Sequence, residues 1–225
     1  MFYLVTGQRQ SPIDIQPSCI ESNSRAKRSA IAPLSVDYNL ITGASGLTLE
    51  NTGNGWKLNI PDNIAKLCPV TGGPLGTDQY RLLQIHSHWG CDDSCGSEHT
   101  VQGKSFPCEV HLVHWNVTKY KSPGEAMECT EDGLAVIGVF VEIGKSSDPL
   151  SKICDQVSQI PFKGDSVLFD TSKLDLNQFI PNRENIKFWN YEGSLTTPPF
   201  SESVIWIVLE DTITASTEQV SLNHK

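Results

Sequence analysis

Residues 81–89 read RLLQIHSHW and residues 108–116 read CEVHLVHWN. Each run is rich in β-branched and aromatic residues and too short for an ordinary helix, so each predicts a strand. Two further runs follow the same reading. Residues 134–143, LAVIGVFVEI, are apolar almost throughout and predict a strand buried on both faces. Residues 203–209, SVIWIVL, predict another. Shorter β-like pieces occupy 34–40 (LSVDYNL), 47–51 (LTLEN) and 56–60 (WKLNI), separated by Gly and Asn turns. The best helical pattern is 149–160, PLSKICDQVSQI, with Pro149 near the start and Asp148 as its expected cap. The 17 Gly and 13 Pro suit many turns and short strands. No repeat, low-complexity tract or linker interrupts the chain. The expectation is one domain over 1–225, of α+β class and β-dominated.

Seventeen Lys and Arg against 26 Asp and Glu leave a net charge of −9. That balance argues against nucleic acid as a partner, because phosphate binding needs a basic surface. It argues equally against a membrane-surface role. No apolar run approaches the ~18 residues of a membrane span. The first residues, MFYLVTG, have no basic n-region and no long apolar core, so no secretory signal is read. Seven cysteines are an odd number without a disulfide ladder. Reduced thiols and a cytoplasmic location are therefore expected. The sequon at Asn116-Val117-Thr118 matters only in a secreted protein.

Five of the six histidines lie between residues 86 and 114. His86 and His88 are two apart on a strand, so both point to one face, together with Gln84. His111 shares a face with Glu109 and Val113. If the two strands are neighbours, three imidazoles meet at one point. Three protein nitrogens with one open position are the arrangement of a catalytic zinc; structural zinc is closed by four ligands. Metal-bound histidines usually donate their second N–H to an oxygen acceptor. Gln84 is placed to orient His86, and Glu109 to orient His111.

Two plainer readings compete. The histidines could line the polar face of a half-exposed strand, but inward polar partners beside both His-x-His and Glu-x-His argue against it. Alternatively, His86, His88, Cys91, Cys95 and His99 could form a closed structural zinc site, since Cys91-x3-Cys95 fits ligand spacing. That leaves His111 and Glu109 unexplained. The simpler reading of Cys91 and Cys95 is a solvent-side loop with a redox-sensitive pair. Two more motifs, GSEHT at 96–100 and GSLTTPP at 193–199, are weak taken singly.

Taken together, RQSPIDI (9–15), QIHSHWG (84–90), GSEHTV (96–101), EVHLVHWN (109–116), GLAVIGVF (133–140) and YEGSLTTPP (191–199) resemble the α-class carbonic anhydrases of animals. The resemblance runs from about Gly7 to about Gln219. It implies a large twisted, mostly antiparallel sheet with short peripheral helices. It implies Zn2+ on His86, His88 and His111, and reversible hydration of carbon dioxide to bicarbonate and a proton by zinc-bound hydroxide. In that pattern Thr196 is the gatekeeper hydroxyl and Glu98 the carboxylate that takes its proton. Thr197 contacts bicarbonate. Val113, Val136, Leu195, Val204 and Trp206 form the apolar wall for carbon dioxide. His99 and His114 match buried histidines that are structural. A monomer inhibited by sulfonamides or anions is implied as well.

Three departures from the family pattern stand out. Asn54 occupies the place of the proton-shuttling histidine of fast members, and Asn carries no proton at neutral pH. Thr52 and Lys57 replace amides of the polar wall. The chain begins and ends short of the family pattern, and the family's C-terminal segment supplies a main-chain acceptor to the histidine matching His88. Such a loss is expected to weaken metal binding or activity, which leaves a weak or silent binding domain as the alternative function. Lastly, Val5 and Phe200 stand where secreted members place a disulfide, in keeping with the cytoplasmic expectation.

Overall fold

The structure is a computed structural model that describes residues 7–17, 32–41, 43–90, 92–129, 131–172 and 174–222. These residues form eleven strands: β1 (Asp14–Ile15), β2 (Thr48–Asn51), β3 (Trp56–Asn59), β4 (Tyr80–Trp89), β5 (Thr100–Val101), β6 (Cys108–Asn116), β7 (Leu134–Ile143), β8 (Ser166–Leu168), β9 (Phe188–Gly193), β10 (Val204–Leu209) and β11 (Ile213–Ala215). The four long runs read as strands, 81–89, 108–116, 134–143 and 203–209, are β4, β6, β7 and β10 to within one residue at each end.

Nine strands make one mixed sheet in the order β8-β2-β3-β4-β6-β7-β10-β9, with β11 beside β7. Most pairs are antiparallel; β10 and β11 each run parallel to β7. β1 and β5 form a separate parallel pair. The expected β-dominated single domain with short peripheral helices is the architecture observed.

Period-two alternation sorts the central strands between two cores. Cys108, Val110 and Leu112 of β6, Ile137 and Val139 of β7, and Ile205 and Ile207 of β10 join the larger core. Val113, Val136, Val204, Trp206 and Val208 join the smaller core on the other face. Each such aliphatic side chain contributes about 1.5–3 kcal/mol by leaving water. β6 is buried at every position, because both faces are covered.

Two local expectations change. Segment 34–40 is not a strand of the sheet; Ser35 makes an isolated bridge to Thr71 and Asn39–Ile41 form a 3-10 turn. The Asp37 carboxylate accepts the Asn39 N–H at 2.9 Å, and Asn177 Oδ1 accepts the Tyr38 N–H at 2.8 Å. Side-chain acceptors thus take the donors that a ladder would need. The expected cap Asp148 is instead the first residue of the helix Asp148–Val157, whose N-cap is Ser147. Ser147 is held by Gln219, which accepts its N–H at 2.9 Å and donates to its carbonyl at 2.8 Å. Asp148 still lies where a carboxylate favours the helix dipole.

Candidate metal centre

Strand register builds the site. Across the sheet, Glu50, Lys57, His86, His111, Gly138, Val208 and Trp189 stand opposite one another in a single row. The neighbouring row is Asn59, Gln84, Val113, Val136, Trp206 and Tyr191. The two sequence runs quoted at the outset are therefore adjacent, and their histidines share a face. His86 Nε2 lies 3.1 Å from His88 Nε2 and 3.3 Å from His111 Nδ1. The three rings offer donor atoms that all lie within 4.8 Å of one another.

Hydrogen bonds on the far side of two rings settle their tautomers. His86 Nδ1 donates to Gln84 Oε1 at 2.8 Å, and His111 Nε2 donates to Glu109 Oε1 at 2.8 Å. Oxygen acceptors there require N–H at those atoms, so in the neutral form of each ring the lone pairs of His86 Nε2 and His111 Nδ1 face inward. The expected orienting roles of Gln84 and Glu109 rest on these contacts. Among the described residues, the Nδ1 of His88 makes no hydrogen bond.

Charge states favour metal binding. Burial, with the neighbouring imidazoles, holds His86 well below the usual histidine range and brings His88 down to about 3. Both rings are neutral at pH 7 and able to coordinate. Burial alone would raise Glu109, but the electrostatic influence of His111 and the hydrogen bonds from His111 and His99 outweigh it and hold the carboxyl low.

Glu109 does more than the sequence indicated. Its Oε1 also accepts from His99 Nδ1 at 2.7 Å, and its Oε2 accepts the His99 N–H at 2.9 Å. The Tyr191 hydroxyl lies 2.6 Å from His99 Nε2 and 2.9 Å from Ser11 Oγ. Ser11 Oγ in turn accepts the Ser194 N–H at 3.0 Å. A continuous polar chain thus joins the residue-9–15 motif to His111. His99, Glu109 and His111 also form a second group with metal-type spacing, but its ring nitrogens are engaged in this chain. Ser11, Tyr191 and Gly138 were not singled out by sequence. A Cβ on Gly138 would sit 3.0 Å from Glu109 Oε1, so the glycine leaves room for that carboxylate.

Beside the histidines stands Glu98, whose Oε2 lies 3.3 Å from His88 Nε2 and, unlike the rest of the carboxylate, has no hydrogen-bond partner. Burial raises Glu98, partly offset by His111 and by a side-chain hydrogen bond from Thr196. The GSEHT and GSLTTPP loops therefore meet at this pair. Thr196 and Thr197 lie in a turn closed by Leu195 N–H to Ser201 O at 3.0 Å and Phe200 N–H to Thr197 O at 2.9 Å. Val113, Val136, Val204 and Trp206 belong to one buried cluster, with Leu195 packed against it. The Trp206 ring stands 4.9 Å from His111, centroid to centroid, and its Nε1 donates to Ser194 O at 3.1 Å.

His114 faces the other core, away from the donors. Its Nδ1 donates to Ala135 O at 3.2 Å, and it accepts from the Tyr38 hydroxyl at 2.7 Å. Asn54 is exposed in the turn between β2 and β3. Cys95 is exposed and joins neither metal-type group; Cys91 and Val5 lie outside the described residues. His99, one member of the alternative Cys/His set, is turned toward Glu109 and Tyr191. A cavity of ≈ 790 Å³ lies elsewhere, among Leu34, Leu75, Arg183, Phe188 and Ile205. It is lined by no histidine, and the chemistry described above is not there.

A mixed nine-stranded sheet that turns three imidazoles to a common point defines a β-sheet protein with a candidate metal centre. Residues 2–224 match the family model described as eukaryotic-type carbonic anhydrase. Over 215 residues the chain is 39% identical to "Carbonic anhydrase 1" of Oryctolagus cuniculus, covering 96% of this chain and 85% of that protein. The chain belongs to the eukaryotic-type carbonic anhydrases, the enzymes of carbon dioxide hydration.

Proposed function

We propose that this chain is a zinc-dependent carbonic anhydrase that interconverts carbon dioxide with bicarbonate and a proton. The observation that carries the reading is the convergence of His86 Nε2, His88 Nε2 and His111 Nδ1. Three imidazoles grouped without a fourth His, Cys, Asp or Glu among the described residues fit zinc in an open, catalytic site. Zinc held there would supply Lewis acidity and lower the pKa of a coordinated water toward neutrality, for which carbonic anhydrases are the type case.

The chain's own groups orient and enclose the reaction. As a carboxylate, Glu98 is acceptor only, so Thr196 donates its proton to Glu98. The Thr196 oxygen then serves as an acceptor toward the histidines and selects the orientation of a donor bound there. Val113, Val136, Leu195, Val204 and Trp206 give carbon dioxide an apolar wall, which suits an uncharged, linear substrate. Thr197 receives bicarbonate. Asn54 accepts no proton, so export to solvent relies on buffer.

The enzyme acts as a cytoplasmic monomer that sulfonamides and anions inhibit, without nucleic-acid or membrane partners. A net charge of −9, the absence of a described helix long and apolar enough to span a membrane, and Cys108, Cys129 and Cys154 outside disulfides support that setting. The test is zinc content together with carbon dioxide hydration on purified protein, with and without a sulfonamide. Stoichiometric zinc with sulfonamide-sensitive hydration is expected. A folded, zinc-free and inactive protein overturns the reading.

A further inference from the structure

The row that carries the ligands extends one strand beyond His86, to Lys57 on β3, and then to Glu50 on β2. Lys57 Nζ lies 3.0 Å from Glu50 Oε2, and each side chain is about a third exposed, at 31% and 34%. The same carboxylate accepts from Asn59 Nδ2 at 3.2 Å. Asn59 stands opposite Gln84, the residue that holds His86. A cation and its counter-ion are thus set directly beside the candidate metal centre, on the same face.

We propose that Lys57 is a specificity-determining residue that receives anions at this site, with Glu50 as its competing internal partner. The inference rests on the zinc carbonic anhydrase reading above. Carbon dioxide is uncharged and bicarbonate is not, so a fixed cation acts on one side of the reaction only. A partly exposed ion pair is weak, and the lysine stem is flexible. The ammonium can therefore turn from Glu50 to an anion bound near His86 without losing a strong contact. In a chain of net charge −9, such a local cation offsets the general repulsion of anions. The electrostatic influence of Lys57 already reaches His86, where it adds to the forces disfavouring the charged ring.

The experiment measures dissociation constants of bicarbonate and thiocyanate by calorimetry on the zinc-loaded protein, with an uncharged sulfonamide as control. Zinc content and circular dichroism are recorded for every variant. Lys57→Gln is expected to weaken both anions roughly fivefold and the sulfonamide far less. Glu50→Gln frees the ammonium and is expected to tighten both anions. Lys57→Arg is expected to keep anion affinity within about twofold. Raising the salt concentration is expected to narrow the gap between wild type and Lys57→Gln. Unchanged anion affinity in zinc-replete Lys57→Gln overturns the proposal, as does an equal loss of sulfonamide binding. A wild-type chain that takes up no zinc overturns the parent reading and this inference with it.

Discussion

Oε1 of Glu109 accepts two hydrogen bonds at once, from His111 Nε2 at 2.8 Å and from His99 Nδ1 at 2.7 Å. One buried carboxylate therefore fixes the tautomer of a candidate ligand and ties it to a histidine from another loop. Replacing Glu109 by Gln substitutes an amide whose N–H2 can face the His111 N–H. Zinc affinity is expected to fall about 10–100-fold. Chelator competition measures it; unchanged affinity would show that the orientation of His111 is set elsewhere.

Gly138 provides a second handle on the same carboxylate. The Cβ of an alanine there would lie 3.0 Å from Glu109 Oε1 and 3.6 Å from Val208 Cγ2. The carboxylate is bonded three times and cannot swing away freely. Gly138→Ala is expected to lower zinc affinity by about tenfold while the chain stays folded. Circular dichroism and metal competition separate that outcome from general unfolding.

Thr196→Ala removes the hydroxyl that bridges Glu98 to the site. The three imidazoles and their partners are untouched, so zinc content is expected to remain stoichiometric. Hydration is expected to slow by about 10²-fold, the usual scale for losing one oriented polar partner in a reaction centre. Stopped-flow hydration on the zinc-loaded variant checks it; near-normal turnover sinks the role assigned to Thr196.

How much of this was legible in sequence depends on range. The convergence of His86, His88 and His111 could be read because i and i+2 on a strand share a face, and His86 and His111 each had a polar partner two residues away. β4, β6, β7 and β10 were legible because the runs are long. The sharing of Glu109 by His99 was not, since it needs the loop before β5 to fold against β6, and no periodicity encodes that. Nor was the contact of Ser11 with Tyr191, which brings together two motifs far apart in the chain. Segment 34–40 misled because its composition is β-like, while Asp37 and Asn177 bind its backbone donors. Lys57 was noticed only as a missing amide; its place opposite His86 is a matter of register.

His114 links the core to pH. Burial brings it down from 6.5 to about 4, and as a neutral ring it accepts from the Tyr38 hydroxyl. The folded-state pKa is below the unfolded one, so between about pH 4 and 6.5 the unfolded chain binds more protons. The stabilisation is complete above 6.5 and is lost as pH falls through this window, by about 3 kcal/mol in all. Urea unfolding of wild type and His114→Asn at pH 4.5, 5.5 and 7 is expected to show a steeper decline for wild type. Parallel curves would remove His114 from the acid response.

Proton export gives the last prediction. Asn54 is exposed in the turn between β2 and β3; the sequence resemblance matches it to a shuttling histidine, and an amide has no proton to exchange near pH 7. On the proposed reading, the carboxamide of Asn54 leaves the proton to be collected by small buffer molecules. At fixed pH, turnover is expected to rise with imidazole-type buffer concentration and then to saturate. Asn54→His is expected to raise turnover at low buffer and to flatten that dependence. Full activity with no response to buffer in wild type would mean that another group of this chain carries the proton.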